Sequence, residues 1–179
     1  MVEHVDIPDG ERHEPKGADA ATAGQVYVAD GSNSGNWRIS NPYGGWRYSD
    51  IGTGETFTTP TSYTLMDVAG TTTNLKEFSH NSLGRLTYTG SEDTQVKVVC
   101  ELSFAHSTGS GANCFFEWYK NGVAQSSEMV VAADSTNYQH ISLNFDDTLS
   151  EDDYVEVFIK TASGDITVHS AYMYAIGVV

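Results

Sequence analysis

From Leu83 to Val179 the chain is a succession of short stretches in which apolar and polar residues alternate, separated by turns of Gly, Asn, Asp and Ser. Alternation with a period of two places one side chain set in a core and the other in solvent, as a half-buried strand requires. Several such strands at close spacing predict an all-β, antiparallel β-sandwich, either a jelly roll or an immunoglobulin-like sandwich. Gln95–Phe104 sets Val96, Val98, Cys100, Leu102 and Phe104 on one face. Ala112–Lys120 sets Cys114, Phe116 and Trp118 on one face, with Phe115, Glu117 and Tyr119 on the other. Asn121–Gly122 is the strongest turn signal, because both residues tolerate the positive φ of a type I′ hairpin turn. Val123–Ala132 returns from it. Tyr138–Phe145 directs Ile141, Leu143 and Phe145 inward, Asp146–Asp153 reads as an acidic turn around Leu149, and Tyr154–Lys160 and Ile166–Val179 close the pattern.

The first part of the chain is different. Residues 1–24 are polar and carry too few apolar side chains for a core, which predicts an extended arm. Gln25–Ala29 and Asn36–Ser40 predict a small hairpin carrying Val26, Val28, Trp37 and Ile39. A hairpin alone is marginal and needs a surface to pack on. Asn41–Gly45 reads as a turn, so the expected division is 1–45 for arm and hairpin and 46–179 for the sandwich. Leu83–Thr89 predicts a strand carrying Leu86 and Tyr88. Before it, Gly52–Pro60 reads as a loop or edge strand, and Tyr63–Val68 and Leu75–Phe78 as strands.

Charge excludes some functions. With 24 acidic residues against 9 basic ones the net charge is -15, a field that repels phosphate backbones and anionic lipid. Neither nucleic-acid binding nor membrane insertion is expected. The opening MVEHVDIPDGERHE contains no apolar run, so neither a signal peptide nor a membrane span is predicted.

The residues that could carry chemistry are scattered. The six histidines make no metal-like short spacing with one another or with a cysteine. In the arm, His13 reads as a polar anchor at an interface, with a metal shared through His4 and His13 across three chains as the alternative; His106, His140 and His169 could meet only through the fold and read as ordinary strand or loop histidines. Asp146, Asp147, Glu151, Asp152 and Asp153 could offer oxygen ligands to Ca2+, but they lack the EF-hand spacing, and a solvated turn is the preferred reading. No other cofactor is expected. Glu101, Glu117, Glu128 and Glu156 could supply a glycosidase pair, although with so many acids any pair can arise by chance. Trp46, Tyr48, Trp118 and Tyr119 could stack on a sugar, Trp118 more naturally in a core. Ser107 and Ser110 lie in a loop with no Gly-x-Ser-x-Gly elbow. Cys100 and Cys114 read as small buried hydrophobes, with a disulfide across a hairpin as the alternative. No enzyme is predicted.

The runs NSLGRLTYTG, KVVCELSF, FFEWYKNG, ISLNFDDTLSEDDYVEVFIK and HSAYMYAIGVV resemble the C1q/TNF-like jelly-roll domains of tailed-bacteriophage virion proteins over residues 46–179. Leu149, Asp153, Tyr154, Val155, Glu156, Val157, Phe158 and Ile159 carry the likeness, with Asp152 where such domains more often have Gly. The run from Glu11 to Trp37 resembles an attachment segment of phage head-fibre, decoration and tail-fibre proteins, through His13, Pro15, Lys16 and Gly17. This implies a homotrimeric capsid decoration or head-fibre protein on the capsid exterior. Its N-terminal segment, with Val26, Val28 and Trp37, would grip a major capsid protein or another virion protein. The alternative is a tail protein that binds a receptor or host surface glycan. Phe115 and Tyr119, and Tyr172 and Tyr174, put aromatic side chains on the second face of strands whose first face is already apolar, a face that wants covering by a subunit or by the N-terminal segment; with the trimer that the resemblance implies, these four are the expected trimer interface. With bases so few, apolar contact rather than salt bridging is expected to hold the trimer.

Overall fold

A computed structural model describes residues 25–29, 35–39, 42–81, 83–109 and 111–178. The chain divides into two compact units, Met1–Ser40 and Asn41–Val179. In the first, β1 (Gln25–Ala29) pairs antiparallel with β2 (Gly35–Ile39), placing Tyr27 opposite Trp37 and Val26 opposite Arg38. The expected hairpin strands are present. His13, Pro15, Lys16 and Gly17 lie outside the described residues.

The second unit is a sandwich of two antiparallel sheets. Its strands are β3 (Tyr43–Ser49), β4 (Glu55–Phe57), β5 (Thr64–Leu65), β6 (Thr71–Thr72), β7 (Phe78–His80), β8 (Leu86–Tyr88), β9 (Thr94–His106), β10 (Ala112–Lys120), β11 (Val123–Ala124), β12 (Met129–Ala133), β13 (Gln139–Leu149), β14 (Tyr154–Thr161) and β15 (Ile166–Gly177). A six-stranded sheet runs β13-β9-β15-β3-β6, with β4 also on β15. A seven-stranded sheet runs β11-β10-β14-β8-β7, with β12 on β10 and β5 on β14.

The core forms where the inward residues of the two sheets meet. Val96, Val98, Cys100, Leu102 and Phe104 of β9 are all buried, as are Cys114, Phe116 and Trp118 of β10. Phe104 meets Phe116 edge to face at 4.7 Å between ring centroids, an arrangement the ring quadrupoles favour. Asn121 (φ 51°) and Gly122 (φ 75°) both adopt positive φ between β10 and β11, as a type I′ turn demands. Asp152 holds φ 67° in the turn before β14. It thus keeps the left-handed conformation of the more usual glycine, which Asp tolerates better than most residues.

Three expectations are corrected. Tyr43–Gly45 is not turn but the start of β3, paired with Tyr174–Ile176. Its glycines serve close packing: a Cβ on Gly44 would lie 2.5 Å from Cβ of Phe78, and one on Gly45 2.4 Å from the carbonyl oxygen of Met173. Only Thr64–Leu65 of Tyr63–Val68 is strand, and Leu75 precedes β7 rather than starting it. Asp146–Leu149 continues β13 in register with Thr94–Lys97, leaving only the residues after Leu149 to turn. Cys100 and Cys114, by contrast, are buried and free, as the reading of small buried hydrophobes expects. They sit in different sheets, so no hairpin joins them.

Candidate assembly surface

The outward residues of the six-stranded sheet form rows across its strands, because directly paired residues share a face. One row is Ser142–Glu101–Tyr172–Arg47, a second Asn144–Val99–Tyr174–Gly45, and a third Asp146–Lys97–Ile176–Tyr43. The centre of this face is apolar and aromatic. Tyr172, Ile176 and Tyr43 are 39%, 47% and 43% exposed, and the rings of Tyr172 and Tyr174 lie 5.3 Å apart. Behind them Ala171, Met173 and Ala175 are in the core. β15 is therefore apolar on both faces. A strand facing only water alternates with polar residues instead.

Two shallow hollows lie on this face and share Tyr172 and Thr73. The larger, about 750 Å3, also meets Arg47, Glu101, His140 and Ser142. The smaller, about 320 Å3, meets Tyr43, Tyr174 and Ile176.

The other two expected interface residues lie elsewhere. Phe115 and Tyr119 face outward from β10 in the seven-stranded sheet, and side chains of the same chain cover them. Tyr119 stacks on Phe158 at 3.9 Å. The Lys160 ammonium lies 4.7 Å from the centre of the Phe115 ring and 4.2 Å from that of Tyr63. The Tyr63 hydroxyl donates to Glu128, which also pairs with Lys160. Burial, then the hydrogen bond to Glu128, raises the Tyr63 phenol above its ordinary value. Arg85 donates to Glu156 at 2.9 Å and lies 3.8 Å over Tyr154. Cations on this sheet are thus held between rings and carboxylates of their own protomer.

The remaining candidates do not converge. His106 is buried, with Nδ1 at Thr108 and Nε2 at Thr161 and the Ser163 carbonyl oxygen. His169 is buried at a β-bulge between Val168 and Ser170, against the Tyr138 ring at 4.3 Å. His140 is exposed on β13. Of the proposed carboxylate pair, Glu101 faces out from the six-stranded sheet, while Glu117, Glu128 and Glu156 belong to the other side of the molecule. Trp46 is not a surface aromatic: it is fully buried and stacked with His80 at 5.4 Å. Trp118 is also fully buried, packing on Phe145 at 5.7 Å. Among the described residues no three His, Cys, Asp or Glu converge as metal ligands.

The acidic segment has a use that sequence reasoning missed. Asp147 lies in the inward register of β13, after Leu143 and Phe145. Lys120 lies in the inward register of β10, after Phe116 and Trp118. Their side chains meet at 2.9 Å, and the ammonium also donates to the Thr148 carbonyl oxygen at 2.7 Å and reaches Asp153 at 3.3 Å. Carried past Phe145, the alternation would have placed Asp147 inward. The density of acids suggested a turn instead.

No protein-family model matches the sequence, and no curated protein matches it. Solved structures do. The globular domain of zebrafish complement 1qA matches 78% of this chain and 98% of its own, at 11% identity and TM-score 0.51. Murine APRIL matches 76% and 99%, at 8% identity and TM-score 0.50. The fold is the C1q/TNF-like jelly roll. PRD1 vertex protein P5 matches 77% of this chain and 96% of its own, at 14% identity and TM-score 0.46. Structural, signalling and receptor-binding proteins share this fold, so function must be read from the surface.

Proposed function

We propose that this chain is a non-catalytic structural protein of a virion, a capsid decoration or head-fibre protein on the capsid exterior. Three copies associate through the outer face of the six-stranded sheet. The segment 1–40 attaches the assembly to the major capsid protein or another virion protein. The observation that carries the assembly reading is the exposed set Tyr172, Ile176 and Tyr43 on a sheet whose opposite face is already core. Covering such a face removes apolar area from water, at about 25 cal/mol per Å2. The attachment role rests on the resemblance carried by His13, Pro15, Lys16 and Gly17, and on the hairpin bearing Val26, Val28 and Trp37. Many copies on one particle would turn modest single attachments into avidity.

A second reading, a tail protein binding a receptor or glycan, has the hollow beside Tyr172 in its favour. In the first reading a neighbouring copy covers that hollow. Removing residues 1–24 separates the roles: the truncated protein should keep its assembly and lose its binding to particles. Full occupancy of particles by the truncated protein would refute attachment through this segment.

A further inference from the structure

With 9 basic residues for 24 acidic ones, a cation without a carboxylate is unexpected. In the sandwich, Arg85, Lys120 and Lys160 each hold a carboxylate. Among the described residues Arg47 and Lys97 hold none, and both point outward from the six-stranded sheet. Arg47 and Glu101 flank Tyr172 in one row, Arg47 on β3 and Glu101 on β9. Two strand spacings set their backbones about 10 Å apart, with the tyrosine between, and the two side chains make no ion pair with each other. Both are exposed, both border the same hollow, and Glu101 also lacks an ion-pair partner among the described residues.

The face is therefore self-complementary: positive on one side of Tyr172, negative on the other. The geometry points to an intermolecular ion pair in which the guanidinium of Arg47 seats on Glu101 of the partner subunit, beside Tyr172. This rests on the assembly reading above and names what fixes its register. An arginine suits the task because its planar fork can bind a carboxylate through two parallel hydrogen bonds. A purely anionic partner fits less well, since Glu101 would face it with like charge. A second copy supplies both signs in the right proportion. One pair per contact also reconciles a charged interface with a chain so poor in bases.

Sedimentation equilibrium of the full chain tests this, on wild type, Arg47→Glu, Glu101→Arg and the double reversal. Each single reversal sets like charges against each other and should weaken association roughly tenfold or more. The double reversal restores opposite signs and should recover most of the loss. Both side chains are exposed, so thermal unfolding of the dilute variants should match wild type. If a reversal fails to fold, Arg47→Gln replaces it: wild-type association should weaken with added salt and that of the neutral variant much less. Single variants that assemble like wild type, or a double variant no better than either single, overturn the ion pair and leave the assembly reading standing. A wild type that stays monomeric at micromolar concentration overturns both. A two-copy assembly showing the same charge pattern keeps the pair and removes the trimer.

Discussion

Lys120 and Asp147 face each other across the interior of the sandwich, 2.9 Å apart, one layer beyond the contact of Trp118 with Phe145. The polar pair continues the inward columns of both strands and bridges the sheets where the side chains become partly exposed, before Leu149 of β13 returns to the core. Its hydrogen bond to Lys120 chiefly holds the Asp147 carboxyl below its ordinary range, against burial. For Asp153, burial pushes upward and is outweighed by the Ser150 N–H, the Asn121 amide and Lys120, so its value is lowered too. Burial pulls Lys120 down and the two carboxylates more than compensate, leaving it raised.

The sign follows from linkage. Depressed carboxyls stabilise the fold above the unfolded value of about 4, and that contribution is lost as pH falls through the folded values. A raised lysine stabilises below about 10.4 and loses its contribution as pH rises through its folded value. Lys120→Met should therefore lower the melting temperature between about pH 5 and pH 9. The gap from wild type should close as pH falls below about 4. Melting curves across this range, with a gap that stays constant into acid, would refute the role of the pair.

Glu156 is almost fully buried and depends on Arg85. Arg85→Ala leaves a buried carboxylate without its cation and should cost about 2 kcal/mol, less than for a fully buried pair because Arg85 keeps access to water. Adding Glu156→Gln should recover part of that loss. Urea denaturation of the two variants at neutral pH measures both.

The two thiols should be inert in the folded protein. Burial pushes the Cys100 thiol far up, with Glu101 adding to it, and burial raises Cys114 to about 11. The thiolate is the reactive form. A thiol-specific disulfide reagent should label neither cysteine in native buffer and both in guanidinium. Rapid native labelling of either would contradict the placement of β9 or β10.

The sandwich was legible wherever alternation ran clean. The inward sets of β9 and β10 and the turn at Asn121–Gly122 follow directly from apolar period and turn chemistry. Legibility failed where one residue type serves two purposes. Gly44 and Gly45 look like turn formers but permit close approach of β3 to its neighbours. Asp147 looks like a turn acid but is a strand residue paired across the core. The aromatic second faces of β10 and β15 look alike in sequence. Only the fold shows that Tyr63, Phe158 and Lys160 cover the first, whereas Tyr172 remains exposed on the second. Such cover comes from residues distant in the chain, and no local pattern announces it.

Copies are proposed to meet through the outer face of the six-stranded sheet. The most direct test is the solution mass of the full chain beside its Tyr172→Ser/Tyr174→Ser variant, at equal micromolar concentration. Buried aromatic anchors of interfaces typically cost about 2 kcal/mol or more each when truncated. Wild type should sediment at three times the mass of one chain and the variant, still folded, at one. Equal masses for the two proteins, whether three copies or one, would contradict the account.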